Sequence, residues 1–554
     1  MYSFFMGFEM RMRMKNIVLP VVCSMLVVVA CSKNQDSTSA SEHPLNMLRQ
    51  DVGSEPPTLD PQLAEDTYST RIMYDLFGGL VDFDQQNNVI PGMASSWDIS
   101  KDGKTYTFHL RNNLKFSDGS PITANDFVYS WQRLVNPKTA SPYGFLIGGV
   151  VGANQIMNKS APVSVLGVSA LNKDTFVVKL THPDGYFLKA ILLSNAYVVP
   201  KKVIEKYGTA WIDPSNMITS GAYMLKEHVV NGYVLAVKNP YYYNADQVKI
   251  EQVKYLPYED KNVTVPSYRS GGLDVTFQTV PVDQYADLKK EFGNQVHTVL
   301  QEGNYYMDFN MQEPRIGNNV KLRQALSMAV DRQALVNEVL KAGQQPLYST
   351  VTPTVDNGAF ASVKYAWADW PRSKQVIDAK KLFTEAGYGP NNPFVFTYSY
   401  NTNDLHKRVA LAVMAMWQQV FGNGIKVSLQ NQEWKTFLQL RHKGDYDIVR
   451  DGWVADYNGV TSYTNLYLCK NDQNNSHYCN PEYDKLINQA INTIDAKTQL
   501  ALFQQALTIP LNDYAVIPLF QYSYQQMVKP YIKGYNPDQN YLEHVQTKWM
   551  SIEK

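Results

Sequence analysis

Residues 104–111, KTYTFHLR, alternate apolar and polar side chains in steps of two, which puts Tyr106, Phe108 and Leu110 on one face. That is the period of a half-buried strand. Asp102-Gly103 just before it is a turn signal, and Ser117-Asp118-Gly119-Ser120-Pro121 is a second. Thr123 then stands where it can cap a helix carrying Phe127, Val128 and Trp131. Later the period lengthens. In 319–343, Leu322, Leu326, Val330, Val336 and Leu340 predict one helix closed by Gly343. In 401–420, Leu405, Val409, Val413, Met416 and Val420 predict another, whose Met and Trp residues read as core. KLFTEAGY, 381–388, reads as a helix end with a glycine stop, and 481–494 opens with Pro and acid as helices do. Strand and helix stretches alternate irregularly and no repeat stands out, so the pattern predicts a mixed α and β protein.

The N-terminus departs from this pattern. Arg11, Arg13 and Lys15 precede an apolar run, Ile17 to Ala30, which is shorter than the ~20 residues a membrane span needs. It fits the apolar segment of a secretory signal. It ends Val28-Val29-Ala30-Cys31, followed by a polar stretch, 32–44. Small or aliphatic residues directly before a Cys resemble the bacterial lipoprotein box, so Cys31 is the expected lipidation site and 32–44 its tether. Ordinary signal cleavage at a nearby small residue is the alternative. The expected mature chain is a body outside the cytoplasm, attached to a membrane through lipid alone.

Composition narrows the function. The chain has 554 residues, with 44% hydrophobic and 12% aromatic positions, enough for several globular units. Its 51 basic and 51 acidic residues balance, which argues against nucleic acid as a partner. The 37 tyrosines supply rigid rings with polar tips, suited to gripping a wet ligand or to decorating sheets. There is no Walker loop, HExxH, GxSxG elbow or dinucleotide glycine fingerprint, and the nine His show no ligand pairing on one helix face. No cofactor, resident metal or catalytic residue is therefore expected. Cys469 and Cys479 bracket a polar loop, and in an exported protein they are expected to form a disulfide. A metal site adding His477 is the weaker alternative, since three ligands at this spacing match no familiar pattern.

One acid raises the sharpest question. Asp456 sits in GWVADYN, 452–458, between Trp453 and Tyr457. A buried carboxylate needs a partner. The nearest Lys or Arg are Arg450 upstream and Lys470 downstream. Either Asp456 caps a turn or pairs with a distant Arg of the fold, or its cation comes from outside.

Several stretches together resemble one family: 94–135 (ASSWDISKDGKTYTFHLRNNLKFSDGSPITANDFVYSWQRLV), 263–275, 318–332, 401–413, 431–458 (NQEWKTFLQLRHKGDYDIVRDGWVADYN) and 477–487. From about Leu48 onward the chain is similar to the extracytoplasmic solute-binding receptors of bacterial ABC importers, family 5, and within them to the oligopeptide branch. The murein-peptide receptor is a near relative. The resemblance implies an α/β, two-lobed periplasmic-binding-protein fold (type II-like) with an additional domain. Its implied parts are 45–77, 206–306 and 524–554 as lobe I, 78–205 as the extra domain, and 307–523 as the third.

It also implies a function and a site. The ligand is a short peptide, bound largely without regard to sequence and passed to the membrane subunits of an ABC permease, by a receptor expected to be a periplasmic monomer. The acid matching Asp456 receives the peptide α-ammonium. Glu65 matches an acid that contacts the peptide backbone or its first side chains. Arg450, His406 and Arg441 match basic groups that receive the terminal carboxylate. Trp434 and Trp453 match pocket walls, and Tyr522 a late cleft residue. Gly452 and Ala455 are small, which lets a peptide backbone approach. For His406 a surface role, and for Trp434 plain core packing, remain open. Val454 replaces a cysteine of the enteric members, and GVTSYTN after Asn458 lacks their Glu-Pro, so preferred length and side chains are not carried over. The rivals are a murein-peptide, glutathione or haem receptor on the same scaffold, an exported hydrolase, and a surface adhesin or chaperone.

Overall fold

The computed structural model describes residues 46–553, except 278, 279, 494 and the side chain of 282. Cys31, the signal segment and the tether lie outside the described residues. Leu45–Lys554 form one compact unit.

Three main sheets organise it. Met47–Asp51, Gln252–Leu256, Tyr233–Lys238 and Tyr223–Val229 form the first, in that order. Ala94–Ile99, Thr105–Leu110, Thr175–Lys179 and Val168–Asn172 form the second, an antiparallel sheet. Here the expected alternation appears: Tyr106, Phe108 and Leu110 are buried and their neighbours half-exposed. Gly103, at φ +69°, makes the turn before it. The Ala124–Leu134 helix covers this sheet. Thr123 caps it, and Asp126 accepts the Thr123 backbone N–H at 2.8 Å, the reciprocal arrangement that fixes a helix start. Trp131 is wholly buried and meets Phe176 edge-on at 5.3 Å.

The third sheet has six strands: Gln345–Pro346, Val516–Met527, Val296–Phe309, Ile448–Val454, Phe394–Asn401 and Ile425–Gln432. Val296–Phe309 and Val516–Met527 are its long strands, of 14 and 12 residues, paired antiparallel with register shifts between Leu300 and Asn304 and between Tyr305 and Tyr306. Val296 and Met527 belong to one hydrophobic core, whereas Tyr305, Phe309, Ile517 and Phe520 belong to another. The pair therefore threads two cores.

The Asp404–Phe421 helix follows its apolar pattern. Asn403 caps it by accepting the Leu405 N–H at 2.9 Å; Leu405, Val409, Val413 and Val420 are buried and Met416 is half-buried. Trp417 is core, donating to the Leu326 carbonyl at 2.9 Å. Arg372–Glu385 stops at Gly387, φ +92°, as expected. The 481–494 helix is shorter than its pattern, running Pro481–Ile491 from an Asn480 cap.

The single helix expected over 319–343 is wrong. Val320–Ala329 is followed by extended Val330, and Asp331 caps a new segment, Arg332–Ala334, that continues in wider turns to Leu340. Asp331 supplies the local acceptor that ends one helix and starts the next, at 2.9 Å from the Ala334 N–H. The break also turns Arg332 inward, where its guanidinium donates to the carbonyls of Leu347, Pro518, Ser327 and Val330. Lys341, not Gly343, takes the left-handed position closing the segment.

Cys469 and Cys479 are joined, with Cα atoms 4.4 Å apart. Among the described residues no cluster of His, Cys, Asp and Glu could hold a metal, and no helix is long and apolar enough to cross a membrane.

Candidate functional site

The Ile448–Val454 strand is paired on both sides only at its beginning. On one side it runs antiparallel to Val296–Phe309 along its whole length. On the other, Phe394–Asn401 pairs with Ile448 and Val449 and then leaves. From Arg450 onward that backbone edge faces a cavity of about 1570 Å³, its mouth included. A bare strand edge is a template for one more strand.

All nine residues expected from the resemblance line this cavity: Glu65, His406, Trp434, Arg441, Arg450, Gly452, Trp453, Asp456 and Tyr522. Their electrostatic states differ from one another. Asp456 is 6% exposed. Its carboxylate accepts from the Ser462 hydroxyl at 3.3 Å, while its own N–H donates to that oxygen at 2.8 Å. No cation of the described residues pairs with it, and burial pushes its pKa up to about 8 although Ser462 opposes this. Of the internal alternatives, pairing with an Arg is not found among the described residues, while the turn contact through Ser462 is present and leaves the charge unneutralised. The Thr461–Thr464 turn positions Ser462, which also accepts from Trp453 Nε1 at 3.3 Å. Trp453 is held in turn by stacking on Tyr143.

Arg450 is the converse case. Its guanidinium donates to two neutral oxygens, Tyr522 Oη at 2.7 Å and Asn401 Oδ1 at 3.3 Å, and its Nε has no partner. No carboxylate pairs with it among the described residues. His406 is buried beside it, with Nδ1 unpartnered. Burial, then the Arg450 charge, hold its pKa well below the usual imidazole value. His406 is thus neither surface nor a cation: it offers a neutral ring nitrogen.

Arg441 does not fit a carboxylate receiver as it stands. Its guanidinium is engaged with Asp451, and both side chains are buried. Glu65 is likewise engaged, accepting from His442 Nε2 at 3.0 Å. Trp434 is a cavity wall and not closed core: Tyr68 meets it edge-on at 5.5 Å and its Nε1 has no partner. At Gly452 a Cβ would collide with Tyr522 Oη and come within 3.1 Å of the Asn304 carbonyl, so only glycine leaves the Arg450–Tyr522 bond undisturbed.

The sequence reading missed several lining residues. Asp66 caps the Thr67–Leu76 helix through the Ser69 N–H at 2.8 Å, and burial pushes its pKa up to about 7. An acid ahead of a helix reads as a cap, which hides any second role. Tyr74 brings a buried, unpartnered hydroxyl to the wall. Gln473 and Asn475 come from the disulfide-closed loop, which the sequence reading singled out only for its cysteines.

Comparison with known proteins places the chain. The model of the bacterial extracellular solute-binding proteins, family 5 (middle), matches residues 88–475. The periplasmic oligopeptide-binding protein OppA of Salmonella typhimurium is 40% identical over 485 residues, 87% of this chain and 88% of that protein. A solved structure of Haemophilus influenzae OppA in complex with the peptide RPPGFSPFR superposes with TM-score 0.89 at 36% identity, covering 92% of this chain and 100% of that one. The structure of the Escherichia coli murein tripeptide binding protein MppA also gives 0.89, at 34% identity, covering 92% and 99%. An unliganded open form of MppA gives only 0.64 at the same identity, covering 92% and 98%. The chain thus superposes better on the peptide complex than on the unliganded open form.

Proposed function

We propose, on the premise that the chain belongs to the family 5 bacterial extracellular solute-binding proteins, that it is a receptor which binds short peptides outside the cytoplasm and hands them to an ABC permease. The carrying observation is a buried carboxylate, Asp456, with no cation beside it among the described residues, at the end of a bare strand edge. A peptide α-ammonium has a pKa of about 8, so most peptides bring the missing charge at neutral pH. The charge-assisted bond strengthens as closure excludes water. At the other end of the same edge, Arg450 has only neutral partners and matches the terminal carboxylate. Between them Gly452, lacking a side chain, lets a ligand backbone approach the edge, although its own N–H is held by Asp451; backbone pairing reads no side chain, so selectivity is broad.

Two readings beyond this belong to the same proposal. Lobe I (45–77, 206–306, 524–554) and the third domain (307–523) close on the peptide about the two long strands, with 78–205 as the added domain. The receptor works in the periplasm as a monomer tethered through Cys31. Murein tripeptide is the second ligand to try, because MppA of Escherichia coli is 36% identical over 493 residues.

The test is calorimetry with trialanine and with N-acetyl-trialanine. Trialanine is expected to bind and the acetylated peptide to be severely weakened. Equal affinity for both would remove Asp456 from its role. Mass spectrometry of the recovered peptide separates receptor from hydrolase, the receptor returning it intact.

A further inference from the structure

Arg450 and Asp451 are adjacent in one strand, so their side chains leave its opposite faces. On the first face stands Arg450 with neutral partners. On the second, Asp451 is saturated. Its Oδ1 takes the Arg441 guanidinium and the Gly452 N–H (2.7 Å), and its Oδ2 takes Asn475 Nδ2 at 3.0 Å. Asp308, on the neighbouring long strand, is buried beside it. Burial, then the Asp451 charge, push its pKa well above the carboxylate range. On this face Arg441 and Asp451 are already spent on each other. Arg441, Asp451 and Asn475 all line the cavity.

A ligand strand laid along the bare edge presents successive side chains to these two faces in turn. We infer that Asp451 is a specificity-determining residue: by consuming the charge of Arg441 it makes the second face neutral, so that one peptide side-chain position is read without preference for charge and the terminal carboxylate goes to Arg450 alone. This rests on the peptide-receptor reading above. Without Asp451, Arg441 would be a second buried guanidinium seeking an anion, which an acidic side chain at that position would supply in competition with Asp308 beside it, so each variant is also made with Asp308→Asn.

The experiment is calorimetry of the native protein and of Asp451→Asn, Arg441→Gln and the double variant, with trialanine and tripeptides in which Glu or Lys is scanned through each position. In Asp451→Asn, the affinity of one Glu peptide relative to trialanine is expected to rise about tenfold over the native ratio, the effect of a new desolvated charge pair. In Arg441→Gln, Lys at that same position is expected to gain instead. The double variant is expected to restore the native pattern. Should Asp451→Asn fail to fold, Arg441→Gln decides alone. Unchanged Glu and Lys ratios at every position, with trialanine still bound, would overturn the inference while leaving the receptor reading intact. Failure of the native protein to bind trialanine would overturn the receptor reading, and this inference with it.

Discussion

At the scale of single residues, the site depends on charges left unmatched inside the fold. Asp456→Asn keeps the shape and the Ser462 contact but removes the charge. Peptide affinity is expected to fall by roughly 2–5 kcal/mol, the range for truncating one partner of a buried charge pair. Calorimetry of the variant with acetylated and free trialanine checks the cause: the two losses should not add, since both remove one interaction. The sequence made this acid conspicuous because no cation follows it before Lys470. It could not reveal that Arg441 is disarmed. That depends on Asp451, ten residues on, sharing a buried face with it, and helix-to-strand contacts have no period to read. Nor could it show His406 neutral, since burial and Arg450 decide that in three dimensions.

At the scale of elements, pattern reading succeeded wherever one face was buried and one wet. The Thr105–Leu110 strand and the Asp404–Phe421 helix are such cases. It failed over 319–343, where a cap at Asp331 and a buried arginine outweighed a continuous apolar stripe. The cleft strand carries its own prediction. Gly452→Val puts side-chain atoms onto Tyr522 Oη, the partner of Arg450. Overpacking of this kind costs about 1–3 kcal/mol of stability, and peptide affinity should fall further because the edge is obstructed. Urea unfolding alongside calorimetry separates the two effects. The disulfide loop carries another. It joins residues 10 apart and holds Asn475 against Asp451. Replacing both cysteines by serine should lower stability by roughly 3 kcal/mol on loop-closure grounds, measured by urea unfolding, and loosen that wall.

At the scale of the molecule, the unmatched acid acts on closure itself. Its pKa of about 8 belongs to the closed arrangement, where protein buries it; in an open cleft, in water, an Asp titrates near 3.9. Between these values the closed form binds more protons than the open one. The empty closed form is therefore favoured at low pH, and increasingly disfavoured as pH rises through about 8. Asp66, at about 7 and also in the cavity wall, acts with the same sign and is nearly spent by pH 8. His406 and His544 act oppositely, but only below their ordinary value of 6.5, since both are neutral in the closed form. Above pH 7 the trend thus belongs to the acids. A peptide ammonium cancels the penalty at Asp456, so closure becomes conditional on the visitor. Small-angle scattering of the unliganded protein should show a larger radius of gyration at pH 9 than at pH 7. Asp456→Asn should reduce that change and stay more compact at pH 9, and saturating trialanine should compact the native protein at both. A native radius independent of pH, with the same value in the variant, would mean that the acid does not govern closure. The seams we propose at 306/307 and 523/524 would fall inside the two long strands, where no turn or composition shift marks them. A hinge of this sort must keep its pairing through the motion, and so it looks in sequence like any other pair of strands.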